Sequence, residues 1–172
     1  MQTTSNTSPL IALAKVGRLK LLKDLYSTVI ISPFVKVESV DKGKEVCASD
    51  ASEIERAIDA GWIKVAKTNE IQDKIIQRLV NEARIGLGEA GALTLAKDQK
   101  MLVILDDKEA RAIAKSWDLD YIGTIMVLYE AFVKSIINYD ELVDDLAKLT
   151  KVMWISADVI TEVIKRAQKV IE

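Results

Sequence analysis

The chain has 172 residues, of which 49% are hydrophobic and 29% are charged, and its formal net charge is −2. This length and apolar content predict one domain with a substantial core, and the charge gives no overall basic field, although a local basic surface stays open. The sequence has no histidine and one cysteine, which excludes imidazole metal sites, histidine-activated nucleophiles and an intrachain disulfide.

Any chemistry must therefore use carboxylates, lysine, tyrosine or hydroxyl groups, and carboxylates favour Mg²⁺ or Mn²⁺. No apolar run reaches the roughly 20 residues that a membrane span requires. The opening residues MQTTSNTS are polar and uncharged, unlike a signal peptide. We expect a cytoplasmic protein that has no membrane partner.

The first predicted element is a helix that begins within SNTSPLIALAKVG (5–17). Thr7 or Ser8 is the expected N-cap, Pro9 suits the first helical position, and Gly17 ends or bends the helix. None of these roles requires Asn6. Two interpretations of this polar stretch therefore stay open: a capped helix start, or the lining of a binding pocket.

Strands and helices then alternate along the chain. The predicted strands are TVIIS (28–32), WIKVA (62–66), MLVIL (101–105) and YIG (121–123). One helix is predicted to begin at Ser32 and Pro33 and to run through Glu38, and a second to run from an Asp50–Glu53 capping box to Gly61. A third helix is predicted from Asn69 to about Gly86, and a fourth begins at Gly88 and Glu89. The segment 41–52 is predicted as a loop. MLVIL is continuously apolar, as expected for a parallel strand that is covered on both faces.

The last third of the chain is predicted to be mostly helical. One helix follows Asp107, and another is capped by Thr124 and runs to about Ile137. The next helix is YDELVDDLAKL (139–149), and VMWIS (152–156) leads into an amphipathic C-terminal helix. The alternation predicts an α/β fold with a mainly parallel sheet. Ligands of such sheets bind beyond the carboxyl ends of the strands.

Several acidic residues are expected at that edge of the sheet. Asp106 and Asp107 directly follow MLVIL, and Glu89 begins a helix; each of them could be a helix-start acid only. Glu38 lies within a helix and could simply be solvated. Together with Asn6 these carboxylates can also converge on one pocket. There Mg²⁺ or Mn²⁺ would relieve their mutual repulsion, activate water and clamp a phosphate.

Four segments resemble the PIN-domain superfamily in their order and spacing: SNTSPLIALAKVGRLKLL, GLGEAGALTLAKD, LDDKEARAIAKSWDLDYIGT and MWISADVITEVIKRA. They are similar to the prokaryotic subfamily that begins Asn-Thr-Ser-Pro-Leu, which is related to the toxin ribonucleases of toxin–antitoxin pairs. The resemblance covers nearly the whole chain. It implies a single PIN-like domain over residues 1–172, a three-layer α/β/α sandwich, and RNA cleavage that depends on Mg²⁺ or Mn²⁺.

The resemblance also implies two groups of site residues. The acids expected to hold the metal and to carry catalysis are Glu38, Glu89, Asp106 and Asp107. The polar residues expected to line the substrate pocket are Asn6, Thr7, Ser8 and Thr124. Asn6 stands where most PIN domains have an aspartate, and Gly91 stands where many relatives in this subfamily have a second acid. Asp106 and Asp107 are equally good matches to the acid after the long strand.

Two functions follow as hypotheses. The first is a metal-dependent ribonuclease, with Lys36, Lys108 and Arg111 as the basic residues nearest in sequence to the acids. The second is a catalytically weak or inactive binding module that acts through a protein partner, which the neutral Asn6 and the acidic pI of about 5.4 favour. A Rossmann-type enzyme has little support, because GLGEAG (86–91) has no strand before it.

The expected partners are RNA, a small antitoxin-like protein and a second copy of the chain. The homodimer is suggested by IMVLYEAFVKSII (125–137), which is too apolar all round for a solvent-facing helix. This helix is expected in the core or in a dimer interface.

Overall fold

The computed structural model describes residues 2–45 and 47–171. Within them, five short strands form one sheet in the order β3-β2-β1-β4-β5, and all neighbouring strands are parallel. The strands are β1 (Thr3–Ser5), β2 (Val29–Ile31), β3 (Ile63–Val65), β4 (Leu102–Ile104) and β5 (Tyr121–Ile122).

Helices connect the strands and cover both faces of the sheet. They are α1 (Thr7–Lys15), α2 (Leu21–Tyr26), α3 (Pro33–Lys36), α4 (Lys42–Glu45), α5 (Ser49–Asp59), α6 (Glu70–Ala83), α7 (Leu87–Gln99), α8 (Lys108–Ser116), α9 (Thr124–Val133), α10 (Tyr139–Leu149) and α11 (Ala157–Ile171). A π-helical turn (Val37–Asp41) joins α3 to α4. None of the helices in the described ranges is long and apolar enough to cross a bilayer.

The core consists of two apolar clusters, one on each face of the sheet. The strand β4 alternates between them: Val103 belongs to the cluster with residues of α6, α7 and α8, whereas Ile104 belongs to the cluster with residues of α1, α2, α9 and α10. Leu105, just past the strand, returns to the first cluster. This alternation explains why the sequence of β4 is apolar at every position. The predicted α/β/α sandwich is confirmed.

The central strand β1 was not predicted from the sequence. Thr3, Thr4 and Ser5 are all fully buried between β2 and β4, although each is polar. Their backbone groups pair with those of both neighbouring strands, so position in the sheet outweighs the polar side chains. A polar triplet gives no hydrophobic signal for a buried strand.

Four predictions about α4, α5 and α9 were wrong. The segment 41–52 was predicted as a loop but contains α4 and the start of α5, whose N-cap is Ala48 rather than an Asp50–Glu53 capping box. The helix predicted to run to Ile137 ends at Val133, and Gly123 rather than Thr124 is its N-cap. The Asn69 cap is confirmed, with Gln72 completing a capping box.

The apolar helix α9 lies in the core. It packs against α2, α10 and α11 and buries six of its residues: Thr124, Ile125, Val127, Leu128, Ala131 and Phe132. The core location that was one of the two expectations for this segment is therefore confirmed. Since the core accounts for the apolar sequence, the homodimer stays a prediction.

Candidate functional site

The candidate site lies where the central strands β1 and β4 end. Ser5 is in register with Ile104, and the backbone N–H of Asn6 donates to the carbonyl of Ile104 at 3.1 Å. Asn6 and Asp106 therefore follow adjacent parallel strands, which brings their side chains to the same edge of the sheet. This is the edge at which open α/β sheets bind ligands.

Asn6 is the most deeply buried of the predicted site residues that bear an amide or a carboxylate. It occupies the N-cap of α1, but its side chain makes no capping hydrogen bond; the Thr7 or Ser8 cap predicted from the sequence is wrong, because both residues are already helical. Asn6 Nδ2 instead donates to Glu89 Oε1 at 3.0 Å. The opposite amide orientation would bring two oxygens together at that distance, so the hydrogen-bond network fixes the assignment.

The amide oxygen of Asn6 has no hydrogen-bond partner among the described residues. Asn6 is 0% exposed, and its Oδ1 atom is buried. A buried polar atom without a partner costs about 1–3 kcal/mol, and such atoms are rare enough to call for a specific explanation. An oxygen of this kind beside a carboxylate is a ready ligand for a hard cation.

Glu38 lies next to the start of α7. It is part of the π-helical turn, an uncommon backbone form that often marks functional sites. Its Oε2 accepts a hydrogen bond from Thr7 Oγ1 at 2.5 Å. A Cβ atom on Gly88 would lie 2.5 Å from this same Oε2 atom and 2.9 Å from Thr7 Oγ1. Glycine at this position therefore lets α7 approach Glu38, and it is a site residue that the sequence analysis did not identify.

The structure distinguishes Asp106 from Asp107. Asp106 Oδ1 accepts from the Thr124 backbone N–H at 2.9 Å, and its Oδ2 accepts from Thr124 Oγ1 at 2.5 Å. Asp107 instead caps α8, where its Oδ1 accepts from the Ala110 N–H at 2.7 Å. Asp107 thus takes the helix-start role that was one of its two alternatives, whereas Asp106 stays with the candidate site.

Of the three basic residues near these acids, one contacts an acid of the site. Arg111 Nη2 lies 3.3 Å from Asp106 Oδ1, and Arg111 Nε donates to the Leu105 carbonyl at 2.9 Å. Lys36 pairs with Asp41 at 2.6 Å, and Lys108 is exposed at the start of α8. Arg111 is therefore the cation best placed to meet a phosphate.

The remaining predicted positions are less informative. Ser8 is exposed. Gly91 packs tightly against α3, since a Cβ atom there would lie 2.8 Å from Ser32 Cβ and 3.4 Å from Phe34. No acid can be accommodated at that position without displacing α3. The second acid that the resemblance implies for many relatives at this position has no room here, because the two helices pack closely.

The donor atoms suit an ion that keeps part of its water shell. Across residues 2–45 and 47–171, no three acidic or cysteine side chains form a preassembled metal cage. Mg²⁺ needs no such cage, because it commonly takes one or two carboxylates and fills its other positions with water and substrate phosphate. Asn6 Oδ1 and the adjacent Glu89 carboxylate fit that requirement, and Glu38 is hydrogen-bonded to Thr7, the residue after Asn6.

Comparison with known proteins agrees with this architecture. The model of the DUF3368 family, which is described as a PIN domain, matches residues 2–169. The crystal structure of PAE2754 from Pyrobaculum aerophilum is similar with a TM-score of 0.53 and 17% identity, covering 74% of this chain and 93% of that one. At this identity the likeness shows the fold alone. No curated protein matches the chain by sequence. Because the family model spans nearly every residue, the chain belongs to the DUF3368 family of PIN domains.

Proposed function

We propose that this PIN domain is a ribonuclease that hydrolyses RNA phosphodiesters with the help of Mg²⁺ or Mn²⁺. The observation that carries the proposal is the buried, unpartnered Oδ1 atom of Asn6 beside Glu89, at the edge of the sheet that also holds Asp106. The family gives the fold, and the oxygen donors at this edge support the chemistry.

In this proposal, the residues around the site position the ion, the substrate and the carboxylates. A bound divalent cation would supply activated water and charge neutralisation at the phosphate. Asn6 and Glu89 are the ligands that we assign, with Glu38 held beside them by Thr7. Thr124 fixes both oxygens of the Asp106 carboxylate. Arg111, next to Asp106, can donate to a non-bridging phosphate oxygen.

The second candidate is a binding module that has kept the fold and lost most of its catalysis. The hydrogen bond between Asn6 and Glu89 favours it, because an amide satisfies this carboxylate without any ion. Such a module would act through a protein partner, for which an antitoxin-like protein is our proposal. A cytoplasmic location and a homodimer are expected for either function.

Thermal melts across a Mn²⁺ titration distinguish the two candidates. If the wild type binds Mn²⁺, its free energy of unfolding should rise by about 2.7 kcal/mol at a hundredfold excess over Kd. Asn6→Asp should be less stable without the ion, because it places a second carboxylate against Glu89, and should gain more from Mn²⁺. Glu89→Gln should gain less. Glu70→Gln is the matched control, since Glu70 is an exposed acid in the first turn of α6.

The same proteins are then assayed on single-stranded RNA. The ribonuclease proposal expects Mn²⁺-dependent cleavage by the wild type that chelation abolishes, that Glu89→Gln lowers at least tenfold, and that Glu70→Gln leaves unchanged. If all four proteins melt alike with and without Mn²⁺ and none cleaves RNA, the ribonuclease proposal is wrong and the binding module stands.

A further inference from the structure

Trp154 is an exposed aromatic side chain beside the candidate site. It lies between α10 and α11, and at 88% exposure it is the most exposed large apolar residue in the described ranges. Aromatic side chains of this size are ordinarily buried to a large extent. Nothing in the fold of the described residues requires a tryptophan here, because the ring contributes almost no core packing. Its position therefore suggests a contact with a ligand.

The surroundings of Trp154 connect it to the acids. A cavity of about 170 Å³ is lined by Trp154, Asp106, Arg111 and Ser156, among others. An adjoining groove of about 550 Å³ shares Arg111 as a lining residue and extends along α11 to Arg166. Trp154 therefore lines the same cavity as the Asp106–Arg111 pair. The cavity shares Asp106 with the site that we assign to phosphodiester cleavage.

Arg111 is free to make further contacts in this cavity. Its Nη2–Asp106 distance of 3.3 Å is long for a charged pair, and the side chain is 37% exposed. Its Nη1 group has no partner among the residues that the structure describes. A guanidinium with unused N–H groups beside an exposed indole can bind a phosphate and a base of the same strand. Single-stranded nucleic acids are commonly bound in this way, by stacking on aromatic rings next to basic groups.

We propose that Trp154 is a stacking platform for a nucleobase of single-stranded RNA, with Arg111 contacting the neighbouring phosphate. The inference rests on the proposed function, because it takes the scissile phosphate to lie at the Asp106 edge. Stacking would hold the strand in register without reading its sequence, since every base offers a flat face.

The test measures binding of an eight-nucleotide oligouridine with phosphorothioate linkages, which resist cleavage, in the presence of Mn²⁺. A variant that carries Trp62→Phe and Trp117→Phe leaves Trp154 as its single tryptophan, and its emission should be quenched by the oligonucleotide. In the full chain, Trp154→Ala should weaken binding by about 5- to 150-fold. Trp154→Phe should lose less, because it keeps an aromatic face.

Two controls separate stacking from general effects. The same strand without bases should bind wild type and Trp154→Ala equally. Ile71→Ala removes another exposed apolar side chain, 71% exposed on α6, and should change nothing. Because Trp154 is so exposed, the melting temperature of Trp154→Ala should equal that of the wild type.

The outcomes are distinguishable. If the wild type binds the oligouridine and Trp154→Ala binds it equally well, the stacking inference is wrong while the proposed function stands. If the wild type binds no RNA, the proposed function fails and the inference fails with it. If Trp154→Ala keeps its RNA affinity but dissociates a dimer in sedimentation, Trp154 belongs to a protein interface and the stacking inference is overturned.

Discussion

The neutral side chain of Asn6 determines the charge of this site and its need for a bound ion. An aspartate in its place would face Glu89 across about the same 3.0 Å, and a buried carboxylate at that distance from the half-buried Glu89 needs a cation or a shared proton. The amide donates a hydrogen bond instead, so the pair is stable before any ion binds. We expect this to weaken ion affinity, since one negative charge is missing from the ligand set.

Two adjacent carboxylates in α10 give a prediction about pH. Burial raises the pKa of Asp145, outweighing the attraction of Arg18, whose Nε lies 2.6 Å away, and of Lys148. Asp144 is exposed, and its hydrogen bond with Lys148 lowers its pKa. Because folding raises the pKa of Asp145, this residue contributes stability at low pH, and that contribution is lost as pH rises through the folded-state pKa. A lowered pKa contributes stability at higher pH that is lost as pH falls through the folded-state pKa.

The two aspartates should therefore respond to pH in opposite directions. Relative to Asp145→Asn, the wild type should lose stability as pH rises from about 4 to 7, the range above an ordinary aspartate pKa. Relative to Asp144→Asn, it should lose stability as pH falls below about 4. Urea unfolding of the three proteins across this range measures both slopes. If the stability of the two variants depended on pH in the same way, burial would not be what sets the pKa of Asp145.

The contact between α7 and α3 gives a prediction about packing. A Cβ atom on Gly91 would lie 2.8 Å from Ser32 Cβ, and this atom is fixed because Ser32 caps α3. A Cβ atom on Gly88 would instead meet the side-chain ends of Glu38 and Thr7, which can rotate away. Gly91→Ala should lower the free energy of unfolding by about 1–3 kcal/mol. Gly88→Ala should leave it unchanged or raise it, because alanine favours a helix.

The Mn²⁺ response should rank the two glycine variants in the opposite order to their stability. Gly88→Ala should lose more of this response than Gly91→Ala. Gly88→Ala displaces Glu38, so it should weaken the Mn²⁺-dependent rise in melting temperature although the protein is fully folded. Gly91→Ala should keep the Mn²⁺ response of the wild type at temperatures where it is folded. A Gly88→Ala protein with an unchanged Mn²⁺ response would remove Glu38 from the site.

The elements that could be predicted are those whose signal is local. MLVIL indicates a strand that is covered on both faces, and Asn69 indicates a helix start, because both signals depend on neighbouring residues. Thr3–Ser5 could not be predicted, because its strand is specified by pairing with β2 and β4. Asp50 looked like a cap, but it lies inside the first turn of α5 and is only 7% exposed.

The same distinction applies to the site. The sequence could suggest that acids follow the strands, since that depends on element order. It could not choose between Asp106 and Asp107, because the choice depends on where α8 begins and on Thr124, which is 18 residues further along. It also gave no indication that Thr7 would hold Glu38, a contact between residues 31 positions apart.

The two-sided core makes the fold depend on β4 more than on any single helix. This strand joins β1 to β5 and contributes side chains to both apolar clusters. The candidate site follows directly from its end, through Asp106. Substitutions that disrupt β4 should therefore abolish stability and the site together, whereas substitutions that disrupt an outer helix should affect stability alone.

Val103 tests this dependence, because it is 0% exposed in the middle of β4. Val103→Asp places an unpaired charge among α6, α7 and α8, which should cost several kcal/mol and leave the protein unfolded at 25 °C. Val103→Ala removes two methyl groups and should cost about 1–3 kcal/mol while the fold is kept. Circular dichroism and thermal melts measure both effects. A Val103→Asp protein that keeps the melting temperature of the wild type would contradict the central, doubly covered position of β4.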